Sequence, residues 1–193
     1  MDNSIVKGSL GQIARDKNLS IAETFIGSDG IIIMDESGSM MEEDCEDSET
    51  KRKISRFDKG NQELRALQSK VPGKIALIGF SSAVFFRPNG KADLQGAGTD
   101  MLKALEFVKP ADMIDGMKFW LISDGEPDFW EMDSIIEAAK KFKNKINTIY
   151  VGDPEQTGGP DFLRRLAAAT GGVFEDKPHM ESLGEGIAGL LGG

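Results

Sequence analysis

The sequence holds one cysteine, one histidine and one tyrosine in 193 residues. A single thiol, Cys45, excludes an intrachain disulfide framework, and with only His179 beside it no Cys and His spacing resembles a zinc site. Basic residues are also short, 23 Lys and Arg against 32 Asp and Glu, for a net charge of -9 and a pI near 4.7. That balance opposes a dominant role on nucleic acid or anionic lipid, because both need a basic surface to approach phosphates. No apolar run approaches membrane-spanning length, and the opening Met-Asp-Asn-Ser lacks the basic-then-apolar pattern of a signal peptide. The expectation is a cytoplasmic protein with no nucleic-acid and no membrane partner. Asn18-Leu19-Ser20 matches a glycosylation acceptor, which carries little weight without a secretory signal.

What the chain does have is alternation. Apolar strand-like runs at 30–34, 74–80, 83–87, 118–123, 146–151 and 173–175 are separated by helix-like stretches, the pattern of an α/β domain with a mainly parallel sheet. Ser81 and Ser82 between the second and third runs predict a hairpin, and so one antiparallel edge strand. Helices are expected with Ile54, Phe57, Leu64 and Leu67 on one face, with Met101, Leu102, Leu105 and Val108 closed by Pro110, and with Ile135, Ile136, Ala139 and Phe142 after an opening at Pro127 and Asp128. Further helices are expected over 161–170, stopped by Gly171 and Gly172, and through Met180, Leu183, Ile187 and Leu190. Residues 1–29 stand outside this alternation. They suggest a helical extension of two short amphipathic helices, with Ile5, Leu10 and Ile13 in one and Ile21, Ala22 and Phe25 in the other, whose apolar faces dock on the domain formed by 30–193, which hides them permanently, or on a second protein.

Oxygen-bearing side chains gather at the ends of these runs. Asp35, Ser37 and Ser39 form D-E-S-G-S directly after the first strand, and a spacing of two can place all three on one side of an extended chain end, with Gly38 allowing a bend. One carboxylate and two hydroxyls suit Mg²⁺, Mn²⁺ or Ca²⁺ and suit zinc or copper poorly. Thr99 and Asp124 follow at comparable positions, at the start of a helix and at the end of a strand. In open α/β sheets the loops beyond the carboxyl ends of the strands meet in one crevice, so these residues can surround one ion. Gly98 permits close backbone approach there and Gly125 a sharp turn.

The three stretches D-E-S-G-S, G-T-D and I-S-D-G-E-P-D, in this order and spacing, resemble the metal-ion-dependent adhesion site of the von Willebrand factor A domain family. The run F-L-R-R-L-A-A-A-T-G-G is similar to a helix and strand junction of bacterial stand-alone members, so the resemblance spans roughly residues 30–190. It implies a Rossmann-like α/β/α sandwich with Mg²⁺ at the top of the sheet, coordinated by the hydroxyls of Ser37, Ser39 and Thr99 and by Asp35 and Asp124 directly or through water. Two carboxylates and three neutral hydroxyls leave a divalent ion short of negative charge, so it can accept a carboxylate from a partner. The implied function is a non-enzymatic adaptor that binds an acidic side chain of a protein partner. Bacterial relatives often work beside AAA+ ATPases of the MoxR type, an association carried by analogy alone.

Two other functions fit the same triplet. An Asp at a strand end beside a metal also describes aspartyl-phosphate phosphatases, although Ser37 stands where the haloacid dehalogenase pattern has an acid and no lysine follows in a matching loop. Alternatively, the metal fixes loops in an assembly subunit. The acids Glu42, Glu43, Asp44, Glu46, Asp47 and Glu49 form either a negative rim that favours a partner with one carboxylate among basic residues, or a solvated loop. Glu126, Asp128 and Asp100 lie near the same rim. Trp120 reads as core, while Phe129 and Trp130, just past the Asp124 loop, fit either core or an aromatic contact at the rim. Gly96-Ala97-Gly98 lacks the further elements of a phosphate cradle. His179 has no evident nucleophile beside it.

Overall fold

A computed structural model describes residues 5–47, 50–70, 72–96, 98–125, 127, 130–151 and 157–176. The expected last helix, His179, Glu126, Asp128 and Phe129 lie outside the described residues. In chain order the elements are α1 (Leu10–Lys17), α2 (Ile21–Ile26), β1 (Gly30–Asp35), β2 (Cys45–Glu46), β3 (Lys53–Ile54), α3 (Arg56–Lys70), β4 (Ile75–Phe80), β5 (Val84–Phe86), α4 (Met101–Val108), β6 (Lys118–Ser123), α5 (Met132–Ala139), β7 (Ile146–Tyr150), α6 (Gly158–Thr170) and β8 (Phe174–Asp176).

Six strands form one sheet in the order β5-β4-β1-β6-β7-β8, parallel except for β5, which pairs antiparallel with β4. Because side chains alternate across a strand, Ile31 and Ile33 of β1 join Phe119, Leu121 and Ile78 on one face, while Ile32 and Met34 join Trp120, Ile122 and Leu77 on the other. Buried residues of α4, α5 and α6 cover the first face, and Phe57 and Leu64 of α3 the second. The result is a three-layer α/β sandwich. Strands buried on both faces read as continuous aliphatic runs, which is why β1, β4 and β6 were legible. Each fully buried Ile or Leu contributes about 1.5–3 kcal/mol over its exposed state.

The extension lies on the first face. Leu10 of α1 is buried in that core, and Phe25 of α2 meets Phe86 edge-on with ring centroids 5.5 Å apart. Ile5 lies before α1 and is exposed, as is Ala22, so neither serves the amphipathic role expected of it. Asn18 ends α1 in the left-handed region (φ 52) and Ser20 caps α2 through a capping box with Glu23, so both polar residues of Asn18-Leu19-Ser20 have local structural work.

Other boundaries move. Ile54 belongs to β3, paired antiparallel with β2, rather than to α3. Pro110 does not stop the chain from turning, since a 3₁₀ helix over Lys109–Met113 continues from α4 with Pro110 in its first turn, where a missing N–H costs nothing. α5 begins at Met132 rather than near Pro127, and Phe142 lies beyond its end, packed edge-on against Phe119. α6 starts at Gly158 and ends at Gly171 in the left-handed conformation (φ 70).

Candidate metal centre

The parallel pairing of β1 with β6 sets Met34 beside Ile122, so one residue further along Asp35 comes beside Ser123. The Ser123 hydroxyl donates to Asp35 Oδ2 at 2.6 Å and accepts from Gly125 N–H at 2.9 Å. Asp35 Oδ1 accepts from the Ser37 N–H at 2.9 Å. The Asp35 carboxylate is thus fully buried with both oxygens engaged. Past it the chain forms a 3₁₀ turn over Gly38–Met41, which brings Ser37 Oγ and Ser39 Oγ to 3.1 Å. A side chain at Gly38 would press on Gly96 O, 3.1 Å from its Cβ, so the absence of one lets the Thr99 loop lie against this turn.

Asp124 stands at the carboxyl end of β6, 8% exposed, within hydrogen-bonding range of Ser39 and 3.3 Å from Arg56 Nη1. Gly125 after it has φ +88, and a Cβ there would meet the Gly159 backbone at 3.0–3.2 Å. The sharp turn expected at Gly125 is therefore present, and it presses against the start of α6.

Four of the five expected residues, Asp35, Ser37, Ser39 and Asp124, form one connected group. Thr99 is half-buried on the adjoining loop, which reaches the group through backbone: Glu36 O accepts from Gln95 N–H at 2.9 Å and Gly96 N–H at 3.2 Å, and Asp100 N–H donates to Ser81 O at 2.8 Å. Gly98 is left-handed (φ +66), with Ser82 close to where its Cβ would be. Asp100 itself caps α4 and pairs with Lys103, a structural role.

Burial pushes the Asp35 carboxyl up to about 6, and the nearby Asp124 charge adds to the rise, against the hydrogen bonds from Ser123 and Ser37. Burial likewise raises Asp124, against Ser39 and Arg56. Two buried carboxyls that each resist ionisation and repel one another form a place where a cation is favoured. Among the described residues no group of three or more His, Cys, Asp or Glu side chains is arranged to hold a metal. The donor set here is instead two carboxylates and hydroxyls, which fits a hard, oxygen-seeking ion and no soft one.

Three participants were not singled out as site residues from the sequence. Ser123 is visible only once the β1–β6 register is known. Arg56, its side chain 3% exposed at the first position of α3, donates through Nε to Asp44 at 2.8 Å, through Nη2 to Glu42 at 2.7 Å and through Nη1 to Asp124. It ties the acidic segment to the site, and that segment also carries the β2–β3 pairing, so its described part is a braced rim rather than a free solvated loop. Glu36, the spacer between Asp35 and Ser37, is fully buried. Trp120 is core and Trp130 is 75% exposed, outside the core.

No family model and no curated protein matches this sequence. Solved structures do. An uncharacterized membrane spanning protein from Vibrio fischeri aligns over 83% of this chain and 97% of its own at 20% identity with a TM-score of 0.37. Proximal thread matrix protein 1 from the mussel byssus aligns over 86% of this chain and 46% of its own at 14% identity, with a TM-score of 0.53. The SpRpn10 VWA domain aligns over 82% of this chain and 93% of its own at 12% identity, with a TM-score of 0.57. The order of strands, the antiparallel edge and the layers described above make this chain an α/β sandwich similar in fold to that VWA domain.

Proposed function

We propose that the chain is a non-enzymatic binding module with an intact adhesion-type metal site, which recruits a carboxylate of a protein partner through a divalent cation, Mg²⁺ before Mn²⁺ or Ca²⁺. One observation carries this: buried Asp35 and Asp124, from the ends of neighbouring parallel strands, are linked through two hydroxyls, Asp35 to Ser37, Ser37 Oγ to Ser39 Oγ at 3.1 Å, and Ser39 to Asp124. In such a site Ser37, Ser39 and Thr99 would hold the ion, with Asp35 and Asp124 balancing its charge. The bound ion would supply positive charge able to take one more carboxylate oxygen. Ser123 and the Ser37 N–H orient Asp35, and Arg56 orients Asp124 while keeping Glu42 and Asp44 at the rim.

The engagement of both Asp35 oxygens, and its burial, favour a holding role over that of a nucleophile, which needs a free oxygen facing substrate. On this reading a generic phosphate ester is not turned over with Mg²⁺. AAA+ ATPases of the MoxR type are the first partner class to test, by analogy. In calorimetric titration the intact chain binds Mg²⁺, and Asp35→Ala and Asp124→Ala each lose detectable binding while keeping the far-ultraviolet dichroism of the fold. Undiminished Mg²⁺ binding in both variants would sink the site assignment.

A further inference from the structure

We infer that Glu36, a residue with no place in the metal-binding set, is the positioning residue that sets the Thr99 loop against the Asp35 loop, working with Arg87; this rests on the metal-site reading above. β1 alternation sends Asp35 to one face of the sheet and Glu36 to the other, beside Gly79 of β4. A Cβ at Gly79 would lie 2.0 Å from Glu36 Oε1, so this strand position is open because the carboxylate fills it. There Glu36 Oε1 accepts from Arg87 Nε at 3.0 Å and from the Asp93 N–H at 3.0 Å, and Oε2 accepts from Arg87 Nη2.

Arg87 is anchored just after β5, its N–H on Leu77 O at 2.8 Å, and its Nη2 also donates to Asp93 O at 3.1 Å. The same glutamate thus grips the far loop at Asp93 by its side chain and at Gln95 and Gly96 by its own carbonyl. Three residues beyond Gly96 comes Thr99. A bidentate Arg–carboxylate pair buried at one end and satisfied at every oxygen fixes orientation as well as energy. The side chain touches neither Asp35 nor Asp124 in this arrangement of bonds. Its effect on an ion therefore passes through where Thr99 sits, as outer groups tune metal ligands elsewhere.

The test is a double-mutant cycle on the full chain, read as Mg²⁺ affinity by calorimetry, with thermal melting measured alongside. Glu36→Gln keeps the shape and weakens Mg²⁺ about tenfold, in the range that outer-shell changes produce. Thr99→Ala weakens it by a similar factor. Because Glu36 acts through Thr99, the two together remain near the larger single effect, instead of multiplying to about a hundredfold as independent sites would. A residue that only stabilises the fold would lower the melting temperature without this coupling. If Glu36→Gln does not fold, Arg87→Lys, which keeps the charge and loses the second hydrogen bond, takes its place in the same cycle. Wild-type affinity in the Glu36 or Arg87 variant, or multiplying losses, overturns the proposal and leaves the metal site standing. Absence of Mg²⁺ binding by the unaltered chain overturns both.

Discussion

Asp35 ionises inside the protein against its surroundings, and this gives it a stability signature. Burial first, then repulsion by Asp124, move its carboxyl from 3.8 to about 6. The folded state therefore holds the proton more tightly than the unfolded chain. Without metal its contribution to stability is most favourable below pH 3.8, declines as pH rises between 3.8 and about 6, and is constant above, the ionised form costing ~3 kcal/mol. On the proposed metal-site reading a cation beside the carboxylate would offset that penalty, so Mg²⁺ should stabilise more at pH 7 than at pH 5, where protons compete for the same oxygen. Asp35→Asn should raise the stability of EDTA-treated protein at pH 7 by about 1–3 kcal/mol, the upper end falling short because Ser123 loses its acceptor. The same change should give no gain near pH 3.5 and should abolish Mg²⁺ binding. Urea denaturation at the two pH values measures it, and a loss of stability at pH 7 would mean that the carboxylate is not strained. Stability gained as function is lost is what a binding site, rather than a structural polar contact, should display.

Between elements the important polar residues work in the opposite sense. Asp112, buried in the 3₁₀ turn after α4, accepts the N–H groups of Lys143 and Asn144 at 2.8 Å each, the Asn144 amide at 3.1 Å and the Lys109 ammonium at 2.7 Å. It thereby joins the end of α4 to the turn that leads into β7. Burial alone would raise its carboxyl, but the Lys109 contact and the two backbone donors outweigh it and hold the group below the usual range. Its contribution is present above the unfolded value of 3.8 and is lost as pH falls through the lower folded one. Asp112→Asn should destabilise the fold by about 1–3 kcal/mol at pH 7, by far less in strong acid, and leave Mg²⁺ affinity unchanged. Guanidinium unfolding with parallel metal titration checks both halves.

Sequence patterning reaches the elements better than it reaches such ties. Aliphatic runs announced β1, β4 and β6 because both faces of those strands are covered, and the D-E-S-G-S spacing announced the turn after β1. Arg56, by contrast, reads as one cation in a charged stretch until folding brings Glu42, Asp44 and Asp124 to it. Glu36 reads as a spacer until Gly79 and Arg87 define its pocket. The start of α5 near Met132 was misplaced and the short β2–β3 ribbon was not foreseen, because local propensity is weak there and tertiary contacts decide.

At the scale of the molecule, charge bears on which partner could complete the proposed site. The chain carries -9, and the rim beside Asp124 presents Glu42 and Asp44 around a single guanidinium. A wholly acidic partner would be repelled before its carboxylate reached the ion, whereas one carboxylate set among lysines or arginines meets complementary potential on approach. Exposed charges are screened over about 8–10 Å at ordinary ionic strength, so the steering part of this attraction should fade with salt while the metal contact persists longer. Immobilised full chain should therefore capture its partner from a native lysate in Mg²⁺, retain less of it as NaCl rises from about 50 to 500 mM, and release it on addition of EDTA. An Asp124→Ala bait should capture nothing above background under the same conditions. If EDTA lowers the melting temperature of the bait but leaves capture intact, the ion serves only to fix the loops, and the acidic rim rather than the metal would be the binding surface. A partner released by EDTA and recovered on restoring Mg²⁺, with a basic frame around an essential Asp or Glu, would place the last coordination position at the centre of recognition.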